Sequence, residues 1–166
     1  PLPITAYIAV GSKVAAFGLV LRLFAEGLLP AIDQWNVLIA GLAALTMLFG
    51  NLVALAQTNV KRMLAYSSVG QVGFLLMGVA ALSTLSSNGL MVHLVGYSVT
   101  NLAVFFAITA FYNVTGKEEI ADFAGLAARS PFLAAAITVS LFSLAGLPFL
   151  AGFVTKFYLF SAAAAE

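Results

Sequence analysis

Cysteine is absent from this 166-residue chain, and charged side chains are scarce. Without cysteine the chain can form neither disulfides nor thiolate metal sites, and its single histidine, His93, excludes a histidine-rich metal centre. Only 8% of the residues are charged and the net charge is +1, so no long-range field favours nucleic acid or acidic partners. What the chain has instead is apolar sequence.

Hydrophobic residues make up 63% of the chain, and the mean hydropathy is +1.09. This composition is typical of a polytopic α-helical membrane protein. The apolar runs predict an all-α transmembrane helical bundle of about five spans, forming a single membrane domain over residues 1–166. The spans are predicted at residues 4–24, 35–57, 62–83, 89–112 and 131–165. Because the chain opens at Pro1 without a signal-peptide pattern, we expect it to be part of a longer protein.

The last apolar segment is too long for one regular crossing. As a continuous helix its 35 residues would extend about 52 Å, against a hydrocarbon core of roughly 30 Å. Pro148 removes a helical hydrogen bond, and Gly146 and Gly152 flank it, so we predict a discontinuous helix broken between Ala145 and Gly152. Such a break is tolerated at membrane depth only where it is buried in protein or lines a polar cavity. The alternative is a proline kink with Lys156 reaching the membrane surface.

Two lysines lie inside apolar runs: Lys13 halfway along the first and Lys156 in the last. A lysine at the centre of a span costs about 2.5–3.5 kcal/mol on insertion scales, so each must face a partner, a cavity or water. Function is the default hypothesis for such groups, and structural pairing with a carboxylate is the alternative. His93, Tyr97 and Asn101 recur every four residues and form a polar stripe on the fourth helix. A neutral imidazole can accept and pass protons, with hydrogen-bonding support from the tyrosine and the amide.

Basic residues outside the spans are unevenly divided between the two sides of a five-span layout. One side has Arg22, and the other has four: Lys61, Arg62, Lys117 and Arg129. The positive-inside rule makes the richer side, with the polar loop 113–130, cytoplasmic, or matrix or stromal in an organelle. Within that loop, residues 122–129 are predicted to form a short surface helix, and Ser83 to Asn88 a serine-rich turn.

Four stretches of the sequence resemble one known family. They are SKVAAFGLVLRLF (12–24), GNLVALAQTNVKRMLAYSSVGQVGFLLMG (50–78), DFAGLAARSP (122–131) and SLAGLPFLAGFVTKFYLF (143–160). They closely resemble the antiporter-like proton-pumping subunits of respiratory complex I (NADH:quinone oxidoreductase), in particular the subunit N branch with its mitochondrial and its chloroplast or cyanobacterial counterparts. The resemblance covers nearly the whole chain. It implies helices eight to twelve of a 14-helix fold with inverted repeats, the twelfth being the broken helix.

The resemblance also implies roles for individual residues. Lys13 matches the family's connecting lysine on a hydrophilic axis, and Lys156 matches the lysine of the second broken helix, at a half-channel. His93 is implied as a proton relay, with Tyr97 and Asn101 as lesser participants, because a sister subunit carries titratable groups at all three positions. The implied function is proton translocation across an energy-transducing membrane, driven by quinone reduction, in a subunit of an enzyme complex that has no redox chemistry of its own.

Cofactors and partners follow from the same resemblance. NADH, FMN, iron–sulfur clusters and quinone are expected in other subunits, with no cofactor and no metal in this chain. The expected partners are the other membrane-arm subunits, the lipid bilayer, protons and water, but not nucleic acid. The expected location is a bacterial plasma membrane, or otherwise a thylakoid or mitochondrial inner membrane. Two alternatives stay open: an Mrp-type cation/proton antiporter subunit, and a non-conducting membrane scaffold in which the lysines only pair structurally.

Overall fold

Helices account for nearly the whole of the structure, a computed structural model that describes residues 2–165. The α-helices are α1 (Leu2–Tyr7), α2 (Lys13–Arg22), α3 (Ile32–Leu55), α4 (Val60–Ala81), α5 (Thr84–Thr115), α6 (Leu126–Arg129), α7 (Pro131–Ala145) and α8 (Ala151–Ala164). The chain also forms π-helical segments at Ile8–Ser12 and Leu23–Gly27, and 3-10 turns at Leu29–Ala31 and Ile120–Phe123. The predicted all-α transmembrane fold is confirmed.

Four helical stretches are long and apolar enough to cross a membrane. They are Ile4–Gly27, Leu29–Leu55, Val60–Ala81 and Thr84–Thr115. α7 and α8 have 15 and 14 residues and are apolar, but each is only about 22 Å long at 1.5 Å per residue. Neither reaches across a hydrocarbon core of roughly 30 Å alone. The fifth predicted span is therefore two half-helices on either side of a break.

The connection between the first two spans is more helical than the sequence predicts. The interval between the predicted spans 4–24 and 35–57 contains most of the second π-helical segment and a 3-10 turn, and α3 begins at Ile32. Pro30 fits the start of the 3-10 turn because its fixed φ is already helical. The indole Nε1 of Trp35 donates a hydrogen bond of 2.9 Å to the carbonyl of Leu28 and closes the connection.

Two further predicted boundaries are wrong for reasons of local hydrogen bonding. The turn predicted through Asn88 ends at Ser83, because Ser83 and Ser86 form a reciprocal capping box that starts α5 at once. The single surface helix predicted over 122–129 is divided into a 3-10 turn and the one-turn α6. Gly125 lies between them with φ of +74°, a left-handed conformation that interrupts the helix.

A polar layer lies between two apolar clusters in the centre of the bundle. Along the buried face of α4, Leu64 belongs to one cluster and Leu75 to the other, and Ser68 and Gln71 lie between them. The spacing of these residues matches one face of a helix. The polar stripe of α5 lies on its buried face in the same way, with His93 only 2% exposed. Apolar side chains therefore close the polar layer above and below.

The loop before α7 is tied to the turn between α3 and α4. Val60 N donates to Glu118 O at 3.0 Å, and Ile120 N donates to Thr58 O at 2.8 Å. Lys61 forms an ion pair with Glu118, and the Asn59 amide donates to the same carboxylate at 3.0 Å. Lys61 and the loop 113–130 thus lie at the same end of the bundle, as the five-span layout predicts.

Candidate functional site

The break between α7 and α8 leaves the backbone carbonyls of Leu144 and Ala145 without helical partners. In a continuous helix the carbonyl of Leu144 would accept from the N–H of residue 148, which is proline and has none. Gly146 instead turns the chain with φ of +87°, and its N–H donates to the carbonyls of Phe142 and Ser143, both at 3.1 Å. The predicted discontinuity is present, and it exposes Leu144 O.

α8 begins in direct contact with the end of α7. Gly152 N donates to Ser143 Oγ at 3.3 Å, and a Cβ at position 152 would collide with the Ser143 carbonyl oxygen. Glycine is therefore required here by close backbone approach. Phe149 also has a positive φ, +74°, which the sequence gives no reason to expect because phenylalanine rarely adopts that conformation.

Lys156 binds the carbonyls that the break exposes. Its Nζ donates to Leu144 O at 2.6 Å and lies 3.4 Å from Ala145 O, and it stands 4.7 Å from the centre of the Phe74 ring. The C-terminal end of a helix carries partial negative charge, and an aromatic face attracts cations, so both features favour the ammonium. The amide of Gln71 donates to the same Leu144 carbonyl at 3.1 Å.

Lys13 binds side-chain hydroxyls on two neighbouring helices. Its Nζ donates to the Ser68 carbonyl at 3.0 Å, to the Ser68 hydroxyl, and to the Tyr97 hydroxyl at 3.2 Å. The Ser68 and Tyr97 hydroxyls are 3.1 Å apart, and the Tyr97 hydroxyl donates to Ala9 O at 3.3 Å. Within residues 2–165 neither Lys13 nor Lys156 forms an ion pair with a carboxylate. The alternative that the two lysines serve as structural ion pairs therefore has no carboxylate partner among the described residues.

His93 is oriented by Thr155. The distance between His93 Nδ1 and Thr155 Oγ1 is 2.9 Å, and the threonine hydroxyl donates its one proton to Gly152 O at 3.2 Å. Nδ1 must then be the donor to Thr155, which leaves the lone pair of a neutral ring on Nε2. His93 Nε2 is buried and has no hydrogen-bond partner among the described residues. Within residues 2–165 the ring therefore presents an unpaired acceptor nitrogen in the interior of the bundle.

A small cavity connects these groups, and we call it the inner cavity. It measures about 10 Å³ by the volume that the centre of a water molecule can occupy, which is about the size of one water molecule. Its lining residues are Gln71, His93, Gly96, Tyr97, Thr100, Ser143, Leu144, Gly152, Thr155 and Lys156. Tyr97 also contacts Lys13, so the inner cavity joins the surroundings of both lysines.

The structure brings together four of the five candidate side chains: Lys13, His93, Tyr97 and Lys156. Asn101 is buried one helical turn beyond Tyr97, does not line the inner cavity, and its Nδ2 has no hydrogen-bond partner among the described residues. The roles of all five in proton transfer remain predictions. Within residues 2–165 no cluster of His, Cys, Asp or Glu could hold a metal ion.

Sequence reasoning did not assign site roles to five polar residues that surround the lysines. They are Ser68, Gln71, Thr100, Ser143 and Thr155. A signal was present for α4 and α5, since Ser68 and Gln71 share one helical face and Thr100 lies close to Tyr97 in sequence. The contacts of Ser143 and Thr155 depend on the folding back of α8 at the break, which no local pattern specifies.

Comparisons with known proteins cover the whole chain. The family model described as NADH:quinone oxidoreductase/Mrp antiporter, transmembrane, matches residues 1–166. NADH-quinone oxidoreductase subunit N of Moorella thermoacetica is 50% identical over 161 residues, which are 96% of this chain and 34% of that protein. The chain spans about a third of the length of the curated relatives it matches.

Solved structures of two membrane complexes contain chains of the same fold. A chain of the membrane-bound sulfane sulfur reductase, an archaeal respiratory membrane complex, matches with a TM-score of 0.90 and 29% identity, covering 100% of this chain and 34% of that one. A chain of the Mrp complex from Dietzia sp. matches with a TM-score of 0.85 and 29% identity, covering 90% of this chain and 28% of that one. This chain therefore belongs to the transmembrane family of NADH:quinone oxidoreductase and Mrp antiporter subunits.

Proposed function

We propose that this chain conducts protons as part of subunit N in the membrane arm of an NADH:quinone oxidoreductase. The observation that carries the proposal is the polar layer itself, in which Lys13, Tyr97, the inner cavity, His93 and Lys156 follow one another without a carboxylate partner for either lysine within residues 2–165. Intramembrane lysines are costly, and ionisable groups that face the interior of a helix bundle mark ion and proton pathways.

The chemistry needed is proton transfer alone. A lysine in a poorly hydrated site releases its proton more readily than one in water, and a change in a nearby charge can load it again. Protons pass between Lys13 and the inner cavity through the hydroxyls of Ser68 and Tyr97, which both donate and accept. His93 Nε2 takes a proton at the other side of the inner cavity. NADH, flavin, iron–sulfur clusters and quinone belong to other subunits, and quinone reduction supplies the energy.

The proposal also specifies the membrane in which the chain lies and the neighbours that cover it. The family and its apolar helices make it an integral membrane protein. Bacterial relatives favour the plasma membrane of a bacterium, with the end that carries Lys61 facing the cytoplasm. Other membrane-arm subunits and lipid cover the outward faces of α2 and α3, where Leu19, Leu38 and Leu55 are more than two-thirds exposed.

An Mrp-type cation/proton antiporter is the second candidate, because the Dietzia sp. Mrp chain has nearly the same fold. The identity of 50% with a subunit N, against 29% with the Mrp chain, favours the first candidate. The two differ in their driving force. Acidification that requires quinone reduction supports the redox complex, and acidification driven by a sodium gradient without quinone supports the antiporter.

The test uses the full-length protein in its assembled enzyme, reconstituted in proteoliposomes, with quinone reduction and acidification measured together. Lys13→Ala and Lys156→Ala are each expected to lower the number of protons translocated per quinone reduced. Lys117→Ala, an exposed loop lysine, serves as the matched control and should pump normally. A scaffold function predicts instead that the two intramembrane variants lose assembly while every assembled enzyme pumps at the wild-type ratio.

A further inference from the structure

Two separate spaces meet at Lys156. The inner cavity lies on one side, and on the other an open groove of about 540 Å³ by the same measure runs between α3, α4 and α7; we call it the outer groove. Polar side chains along the outer groove are Asn51, Gln57 and Ser67. Three residues line both spaces: Gln71, Leu144 and Lys156. These three form the wall between the inner cavity and the outer groove.

The wall is held by one carbonyl with two donors. Leu144 O accepts from Lys156 Nζ at 2.6 Å and from Gln71 Nε2 at 3.1 Å, and the two lone pairs of a carbonyl allow both bonds at once. The donors differ in kind, because an amide keeps its protons whereas an ammonium can release one. Gln71 is only 5% exposed, so its amide cannot turn out to bulk solvent.

The groups that face this wall are few. α5 contributes His93 and Tyr97, and Lys13 reaches the same region through Tyr97. α3 and α7 contribute neutral groups, Asn51 to the outer groove and Ser143 to the inner cavity. No carboxylate from residues 2–165 lines either space. Among the described residues, the hydrogen bonds of the Leu144 carbonyl with its two donors therefore decide how readily the Lys156 ammonium becomes a neutral amine.

We propose that Gln71 is a positioning residue for proton release from Lys156: it shares the Leu144 carbonyl, so that this carbonyl binds the ammonium less strongly and the proton is released more readily. The inference deepens the proposed function and rests on it. In the release step an N–H bond of the ammonium breaks, the proton passes to water that reaches the wall, and the amine nitrogen keeps the electron pair. Without Gln71, Leu144 O would accept from Lys156 alone, and release would exchange a charge-assisted hydrogen bond for the weaker one of a neutral amine.

This proposal predicts a change in pH dependence. Gln71→Met removes the donor at nearly constant size, so Lys156 becomes the only side-chain donor to Leu144 O and releases its proton less readily. Proton translocation should fall at neutral pH and recover as the pH rises, with the acidic limb of the pH profile displaced upward by about one unit, a tenfold change in proton concentration. Gln71→Glu places a carboxylate beside the ammonium and should displace the limb further in the same direction.

The measurement is proton translocation by the assembled enzyme in proteoliposomes between about pH 6 and 9, a range that covers the expected limb. Gln34→Met, at an exposed position in the first turns of α3, is the matched control and should keep the wild-type profile. Gln71→Glu keeps the size of the side chain and leaves it polar rather than apolar, although charged, so it carries the test if the methionine variant does not assemble.

The outcomes distinguish a failure of the Gln71 inference from a failure of the proposed function. Equal loss of translocation at every pH in the Gln71 variants would make Gln71 structural only and overturn the inference. An unshifted profile in the Gln71 variants, with translocation lost in Lys156→Ala, overturns the inference and leaves the proposed function standing. Wild-type translocation in Lys156→Ala would remove both.

Discussion

Lys13 and Lys156 occupy sites built from different chemical groups. Lys13 is bound by the hydroxyls of Ser68 and Tyr97, from two other helices, as well as by the Ser68 carbonyl. Lys156 is bound by the main-chain carbonyls of Leu144 and Ala145, at the end of the half-helix that precedes its own. Both ammonium groups lie in the same polar layer, so the two sites differ in their hydrogen-bond partners.

The difference in partners implies a difference in behaviour. A hydroxyl can accept a hydrogen bond on one side while it donates on the other, so the Lys13 site can transmit protons through Ser68 and Tyr97. A carbonyl can only accept, so the carbonyls at the Lys156 site stabilise the charged form but cannot pass its proton on, and the proton must leave through water. The Lys13 site is therefore sensitive to the loss of one hydroxyl, whereas the Lys156 site is most sensitive to changes in the shape of the break that places its carbonyls.

The largest effect is expected from Gly152→Ala, which changes that shape. The new methyl group would collide with the Ser143 carbonyl and push the start of α8, with Lys156, away from Leu144. Overpacking of this kind costs about 1–3 kcal/mol of folding free energy, and we expect translocation to fall by at least about tenfold. Translocation assays and thermal unfolding of the assembled enzyme measure both effects.

Gly41→Ala is the matched control, because a Cβ at position 41 meets nothing within 4 Å. It should leave translocation unchanged and stabilise α3 by up to about 1 kcal/mol, since alanine is the better helix former. If Gly152→Ala behaves like Gly41→Ala, close contact at the break has no part in holding Lys156.

A smaller effect is expected from Tyr97→Phe, which tests the Lys13 side of the comparison. The change removes a hydroxyl that contacts Lys13, Ser68 and Ala9 while keeping the ring in place. Losing one hydrogen bond to a charged group should slow translocation by about tenfold or somewhat less. Tyr158→Phe, with a 45% exposed side chain, is the control. Wild-type translocation in Tyr97→Phe would mean that protons bypass this hydroxyl.

The smallest effect is expected from Glu118→Gln, outside the membrane spans. Hydrogen bonds from Lys61 and Asn59 hold the pKa of the Glu118 carboxyl below its ordinary value of 4.5. A carboxyl with a lowered pKa adds stability above its ordinary pKa, and that stability is lost as the pH falls through the lower folded value. We expect a melting temperature lower by no more than about 3 °C at neutral pH, with the difference from wild type vanishing in acid. A difference that grows as the pH falls would contradict this account of the loop.

Much of the candidate site could be predicted from local sequence. Pro148 has no N–H, so the break and the need for a polar environment follow from the residue type alone. The spacing of His93 and Tyr97 places both on one helical face, and that face is buried. Lys13 and Lys156 stand out because charges are rare in apolar runs.

The remaining features depend on contacts that local patterns do not encode. Ser68 lies 55 residues from Lys13 in sequence, and nothing near either residue specifies their contact. Thr155 looks like an ordinary helical threonine until α8 brings it to His93, 62 residues away. The early start of α5 depends on a serine at the third position of its capping box, where glutamate or glutamine is the usual signal.

The central claim is that Lys156 must release its proton and not merely carry a positive charge. Lys156→Arg separates the two, because arginine keeps the charge beside the Leu144 carbonyl but has a pKa above about 12 and does not deprotonate. The measurement is the number of protons translocated per quinone reduced by the assembled enzyme in proteoliposomes. We predict normal assembly with fewer protons translocated per quinone, whereas assembly with the wild-type ratio would contradict the claim and leave Lys156 as a structural anchor.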